Sequence, residues 1–134
     1  PQETLATPVN PWPWSAALGF HQGIVLTGPA RQLLVSGQTA TDAAGRLQHP
    51  GDMGAQMAQA LDKLAAVVAG AGMELRHLVR QTVHVTDMDA ALAHWGVLAA
   101  RLGRAGAVPT MTLVGTTRLA DPAALIEIEA MAAA

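Results

Sequence analysis

The stretch from Leu78 to Thr86 constrains the fold more than any other part of the chain. Its residues alternate, with Val79, Gln81, Val83 and Val85 on one side and Leu78, Arg80, Thr82, His84 and Thr86 on the other. A period of two over nine residues is a β-strand, and here one face is polar and the other apolar. A helix cannot carry that pattern, because residues spaced by two point to different sides of a 3.6-residue turn. Asp87 follows directly and is a side-chain acceptor suited to cap a helix.

The flanking segments supply the apolar surfaces that such a strand needs. Asp52 caps a predicted helix to about Ala69, in which Met53, Met57, Ala60, Leu61, Leu64 and Val68 recur at steps of three and four; Gly70 and Gly72 end it. A second predicted helix runs from Met88 to about Leu102, with Met88, Leu92, Trp95, Leu98, Ala99 and Leu102 along its stripe. Ile24-Val25-Leu26 and Leu33-Leu34-Val35 are separated by Thr27-Gly28-Pro29-Ala30, which reads as a β-hairpin. Thr110–Thr116 and Leu125–Met131 add two strands. The order β-β-α-β-α-β-β predicts an α+β fold in which two helices cover one face of a mixed sheet. The other face carries Arg80, Thr82 and His84 on one strand and Leu125, Glu127, Glu129 and Met131 on another, provided that Ile126 and Ile128 point inward. Polar groups interleaved with apolar ones suit a protein interface with clefts.

Length and composition bound the function. At 134 residues the chain fits one domain, residues 1–134, with a Pro- and Trp-containing N-terminal extension over 1–18. Eight Lys and Arg against ten Asp and Glu leave a net charge of −2, which argues against a nucleic-acid partner held by a basic face. With no cysteine there is no disulfide, thiolate metal site or Cys nucleophile. No charged n-region with an apolar h-region opens the sequence, and no apolar run approaches the ~20 residues of a membrane span. These features predict a cytoplasmic protein with no membrane partner. Charged residues are 13% of the chain where ~25% is usual, and hydrophobic ones 51%, part of it alanine. So few charges favour a homo-oligomer.

Several short motifs stand in a telling order: Ser36-Gly37-Gln38 closing a strand, Val83-His84-Val85-Thr86-Asp87 running into a helix, Pro109 opening a strand, and Arg118-Leu119 followed by Ile126-Glu127-Ile128-Glu129-Ala130. Over about residues 19 to 133 the chain resembles the Rid/YjgF (RidA-like, reactive intermediate deaminase) family. The resemblance implies a homotrimeric barrel with the helices outside and small-molecule clefts at the subunit interfaces. It also implies hydrolysis of reactive enamines and imines to ketoacids and ammonia, without metal or cofactor. The family's Pro-x-Arg-Ser segment, whose arginine binds the substrate carboxylate, is here Pro109-Thr110-Met111-Thr112. Met111 offers no donor, so a site built around it suits an apolar group better than a carboxylate. The family's Pro-Tyr-Ser-Gln becomes Gly19-Phe20-His21-Gln22, losing a phenol and gaining an imidazole.

The resemblance places Glu127 at the cleft glutamate that positions or activates water, a role that a strand carboxylate facing an interface suits; the alternative is an ion pair across that interface. Glu129, two residues along the same face, reads as structural. His21 is the second candidate for proton transfer. Phe20, Ser36, Gly37, Gln38, His84, Pro109, Thr110, Met111 and Thr112 complete the candidate substrate-binding set, although a lone strand histidine such as His84 is commonly a satisfied interface residue. His49, His77 and His94 read as surface residues, and no spacing of ligands predicts a metal site. Trp12 and Trp14, in the Pro-containing entry segment, are candidates for a lid or for a hydrophobic clasp onto a neighbouring subunit. A Rid-type hydrolase is the leading functional reading. A non-catalytic small-molecule-binding trimer, or a tautomerisation or carbon-skeleton step at the same glutamate, are the alternatives.

Overall fold

The computed structural model describes residues 5–28 and 31–134. The strands are β1 (Leu5–Val9), β2 (Gly23–Thr27), β3 (Gln32–Gln38), β4 (Leu78–Val85), β5 (Thr110–Gly115) and β6 (Ile126–Ala133). The helices are α1 (Met53–Gly70), α2 (Met88–Ala93) and α3 (Trp95–Ala105), with 3₁₀ turns at Pro13–Leu18 and Leu75–His77. Among the described residues the strands form two sheets, a ribbon β1-β2 and a mixed sheet of order β3-β6-β4-β5. In the mixed sheet β6 runs antiparallel to both β3 and β4, while β4 and β5 are parallel. This is the expected α+β architecture. No described helix is long and apolar enough to cross a membrane.

The helix starts follow the sequence closely. Asp52 Oδ1 accepts from Ala55 N at 3.0 Å and Asp87 Oδ1 from Ala90 N at 3.0 Å, so both caps form as read. Met53, Met57, Ala60, Leu61, Leu64 and Val68 are all buried and meet Val83, Val85, Ile126 and Ile128 on one face of the mixed sheet. Gln56 interrupts the apolar stripe and is fully buried. Its Nε2 donates to His49 O (3.1 Å) and Ala123 O (3.0 Å), and its Oε1 accepts from Leu125 N (2.8 Å), fastening the loop before β6 to α1.

Three expectations are corrected. The hairpin between 24–26 and 33–35 does not form: β2 pairs with β1, from Leu5↔Thr27 to Val9↔Gly23, and β3 pairs with β6. Turn chemistry loses here to burial, because β3 places Val35 in the core by joining β6, whereas β2 has no buried side chain to gain from β3. Of the proposed turn, Pro29 and Ala30 lie outside the described residues. The predicted helix from Met88 to Leu102 is interrupted at His94, whose Nδ1 bonds the Ala90 carbonyl at 2.9 Å. A side chain that takes its own helix's carbonyl competes with the backbone ladder, and Gly96 follows as a weak helix former. Leu78 is buried rather than on the polar face, because a register shift between Leu78 and Arg80 turns it inward.

Candidate functional site

The face of the mixed sheet that no described helix covers is built from rows set by strand register. His84 stands opposite Glu127, Thr82 opposite Glu129, and Arg80 opposite Met131, with Leu34 of β3 beside Met131. The two glutamates meet different surroundings. His84 Nε2 donates to Glu129 Oε1 at 3.0 Å, a diagonal cross-strand pair. Among the described residues the Glu127 carboxylate has neither a hydrogen bond nor an ion pair, although it is half-buried. Its seat is made by Gly37. Between Val35 and Gln38 the β3–β6 register shifts, so β3 carries a bulge there. A Cβ built on Gly37 would lie 2.6 Å from Glu127 Cδ and 2.8 Å from Cγ, so the glutamate lies directly over the glycine backbone. Ser36 and Gln38 flank this seat, and Gln38 Nε2 donates to Ser36 O at 3.1 Å.

A second group of candidates gathers at the β5 side. Gly19, at φ 85°, ends the Pro13–Leu18 turn and directs the chain into Phe20 and His21. Trp14 packs edge-to-face on Phe20, with ring centroids 5.9 Å apart. His21 N donates to Pro109 O at 3.2 Å, which fastens this segment to the start of β5. Asn10 fixes the imidazole: its Oδ1 accepts from Gln22 N at 2.8 Å, so its Nδ2 must donate to His21 Nδ1, 3.1 Å away. Neutral His21 therefore carries its proton on Nε2. Phe20, His21, Arg80, Thr110, Met111 and Thr112 line a recess of about 400 Å³.

The family profile described as endoribonuclease L-PSP matches residues 14–134. The chain belongs to this family, that of the Rid and YjgF proteins. The crystal structure of YyfB, a Rid protein of unknown function from Yersinia pestis, superposes with a TM-score of 0.84 at 28% identity, covering 99% of this chain and 100% of YyfB. That of Escherichia coli TdcF with bound serine gives 0.71 at 26% identity, covering 86% of this chain and 87% of TdcF. Protein DfrA of Myxococcus xanthus is 32% identical over 72 residues, 54% of this chain and 55% of DfrA, so the chain spans about half the length of that curated relative.

Within this family fold the candidate residues form two groups in one chain. Ser36, Gly37, His84 and Glu127 lie on the uncovered face, while Gln38, past the β3 bulge, is level with the inward-facing Ile128. Phe20, His21, Thr110, Met111 and Thr112 lie at the recess, with Pro109 buried behind His21. Met111 pairs in register with the buried Gln81 and packs against the core, whereas Glu127 flanks the inward-facing Ile126 and Ile128. Met111 is also level with Gln81 and Glu127 with His84, three residues or roughly 10 Å along the strands. Sequence reasoning did not place Arg80 in the candidate site, although its polar-face parity in β4 was readable. It also missed Asn10, which no pattern marks. Trp14 contacts Phe20 of its own chain, and both Trp12 and Trp14 are exposed. Among the described residues no three His, Cys, Asp or Glu side chains converge to hold a metal.

Proposed function

We propose that the protein is a Rid-type hydrolase of small enamines and imines, working without a cofactor and with Glu127 as its general acid and base. The observation that carries this reading is the contrast on one sheet face: Glu129 is bonded to His84, while Glu127 stands free over Gly37. A carboxylate with no partner is available to a substrate or to water; a paired one is not.

The chemistry follows from that position. Glu127 accepts a proton from water as the water oxygen bonds to the carbon of a protonated C=N group, leaving a neutral amino alcohol. The protonated Glu127 then delivers a proton to the nitrogen, and as the C–N bond breaks the restored carboxylate takes the hydroxyl proton, so that a carbonyl compound and ammonia leave. An enamine enters the same sequence after protonation at its β-carbon. Since Glu127 and the recess lie apart in one chain, the complete cleft forms where subunits meet, and the protein is a homotrimer. The uncovered sheet face, with Leu34 75% exposed beside Met131, supplies the apolar part of that contact.

TdcF, solved with bound serine, shows that a protein of this fold takes a small amino acid. The family's description names an endoribonuclease, but a net charge of −2 and two glutamates on the uncovered face suit a small molecule better than a polyphosphate chain. A non-catalytic small-molecule-binding trimer is the second reading, favoured by Met111 standing where the resemblance places an arginine.

Glu127→Gln decides between them, with turnover and native mass measured on the same samples. Glutamine keeps the shape but exchanges no proton, so turnover of an enamine substrate falls ~10²–10⁴-fold while the mass stays at three times the 13.8 kDa chain. Unchanged turnover removes the catalytic role. Dissociation of the trimer assigns Glu127 to the interface instead.

A further inference from the structure

A second recess, of about 290 Å³, lies where the β1–β2 ribbon, the Leu75–His77 turn and the start of β4 come together. Ile24 of the ribbon, Arg76 and His77 of the turn, Val79 of β4 and Val108 stand on its wall. His21 lines it as well, and is the one residue it shares with the recess beside β5. Arg80, Met111 and Glu127 therefore take no part in it. Every ionisable group on this wall is basic: among the described residues neither an aspartate nor a glutamate lines it. In a chain with eight Lys and Arg against ten Asp and Glu, such a one-signed wall is a local arrangement and not a reflection of composition.

The polarity of each group is set by a bond it already makes. Glu74 N donates to His77 Nδ1 at 2.9 Å, as Asn10 Nδ2 donates to His21 Nδ1 at 3.1 Å, so both neutral rings carry their proton on Nε2. Neither Nε2 has a partner among the described residues. Arg76 uses only Nε, at 2.9 Å from Glu74 Oε2, which leaves its two Nη atoms without a described partner. That ion pair is exposed at both ends and holds the guanidinium weakly. Two imidazole N–H groups and the outer edge of a guanidinium supply more donors than the two oxygens of a carboxylate can use; a phosphate monoester presents three strong acceptor oxygens. Ile24, Val79 and Val108 add an apolar side that a bare ion would leave unfilled. A volume of about 290 Å³ lies at the lower edge of ligand pockets and suits a small molecule.

We propose that this recess binds the phosphate of a small phosphomonoester, with Arg76, His77 and His21 on its oxygens and Ile24, Val79 and Val108 against its apolar body. The site is separate from Glu127 and stands whether or not the hydrolase reading does.

The test is titration of the full chain with phenyl phosphate, inorganic phosphate and phenol, followed by calorimetry and amide chemical shifts. The wild type binds phenyl phosphate most tightly, inorganic phosphate less, and phenol least. Arg76→Met weakens both phosphates ~10–100-fold and leaves phenol unchanged, the size expected for losing charge-assisted hydrogen bonds. Arg76→Lys falls between, keeping the charge without the fork. His77→Asn sets an amide oxygen where Nδ1 accepts from Glu74 N, so the turn keeps its bond while the Nε2 donor is lost, and phenyl phosphate weakens ~3–10-fold. Arg80→Met and Glu127→Gln bind phenyl phosphate as the wild type does. The proposal is overturned if the wild type shows no binding at millimolar phenyl phosphate, or if Arg76→Met and His77→Asn bind it unchanged. Loss of binding in Arg80→Met alone moves the anion to the recess beside β5 and overturns it too. Inorganic phosphate binding as tightly as phenyl phosphate overturns the ester and assigns the site to the free ion.

Discussion

The two faces of the mixed sheet are made from the same strands by the same alternation, yet they are finished in opposite ways. On the helix-covered face Val83, Val85, Ile126 and Ile128 meet α1 and α3 in a closed apolar core. Even the polar Gln56 has all its bonds there. On the other face Arg80 and Glu127 have no partner among the described residues, Leu34 is 75% exposed, and Glu127 rests on a glycine. Apart from the unpaired Gln81, the first face is complete within one chain and accounts for folding. The second leaves charges and apolar groups available together, the condition for an interface and a site.

The largest effect expected on the covered face comes from Gln56→Leu. Leucine fits the apolar stripe but leaves the Leu125 N–H and the His49 and Ala123 carbonyls without their partner in a buried place. At about 1–3 kcal/mol for each unsatisfied buried group, with some relief from water at the loop, the variant loses about 3 kcal/mol in urea unfolding. A loss under about 1 kcal/mol would mean that the loop before β6 is fastened by something other than Gln56, and that the covered face is less closed than its bonds imply.

The same contrast explains what was legible in the sequence. Periodicity reports which side of an element is buried, so the stripe of α1, the parity of β4 and the inward Ile126 and Ile128 were all readable. So was Glu127 on the uncovered face, since it lies between those isoleucines. Pairing partners are a different kind of information. Nothing local in Ile24-Val25-Leu26 says that it joins Leu5–Val9 rather than Leu33–Val35, because that depends on which strand gains burial beside β6. The break at His94 was hidden for a related reason: its apolar spacing is helical, but the side chain takes the Ala90 carbonyl and its ring lies against Gly54 of α1. At the site, Met111 was identified by motif order, yet its packing against the core could be learned only once the register with Gln81 was known.

On the uncovered face Gly37→Ala tests whether the glycine is there for Glu127. The added methyl would overlap the Glu127 side chain, and the atoms it meets are the far end of a flexible group. The glutamate therefore moves and the strand stays. Turnover falls about 10-fold, since a displacement near 1 Å at a proton-transfer group is costly, while the urea midpoint changes little. A loss of stability without loss of turnover would make Gly37 a requirement of the β3 bulge alone.

Gln81→Leu is the smallest effect and bears most directly on how complete the covered face is. Gln81 sits in β4 between Met111 and Ala130, is fully buried, and has no described partner for Nε2 or Oε1. Its neighbour in composition, Gln56, has three bonds; Gln81 has none to lose. Burying an unpaired amide costs free energy that an apolar side chain of similar size does not. Leucine at this position therefore leaves unfolding stability unchanged or raises it by up to about 1 kcal/mol, and leaves the native mass unchanged. If Gln81→Leu instead lowers stability by about 2 kcal/mol or more, the amide is satisfied by a group from outside the chain. The covered face would then not close within one subunit, and the division between a folding face and an assembly face would have to move to the β5 edge.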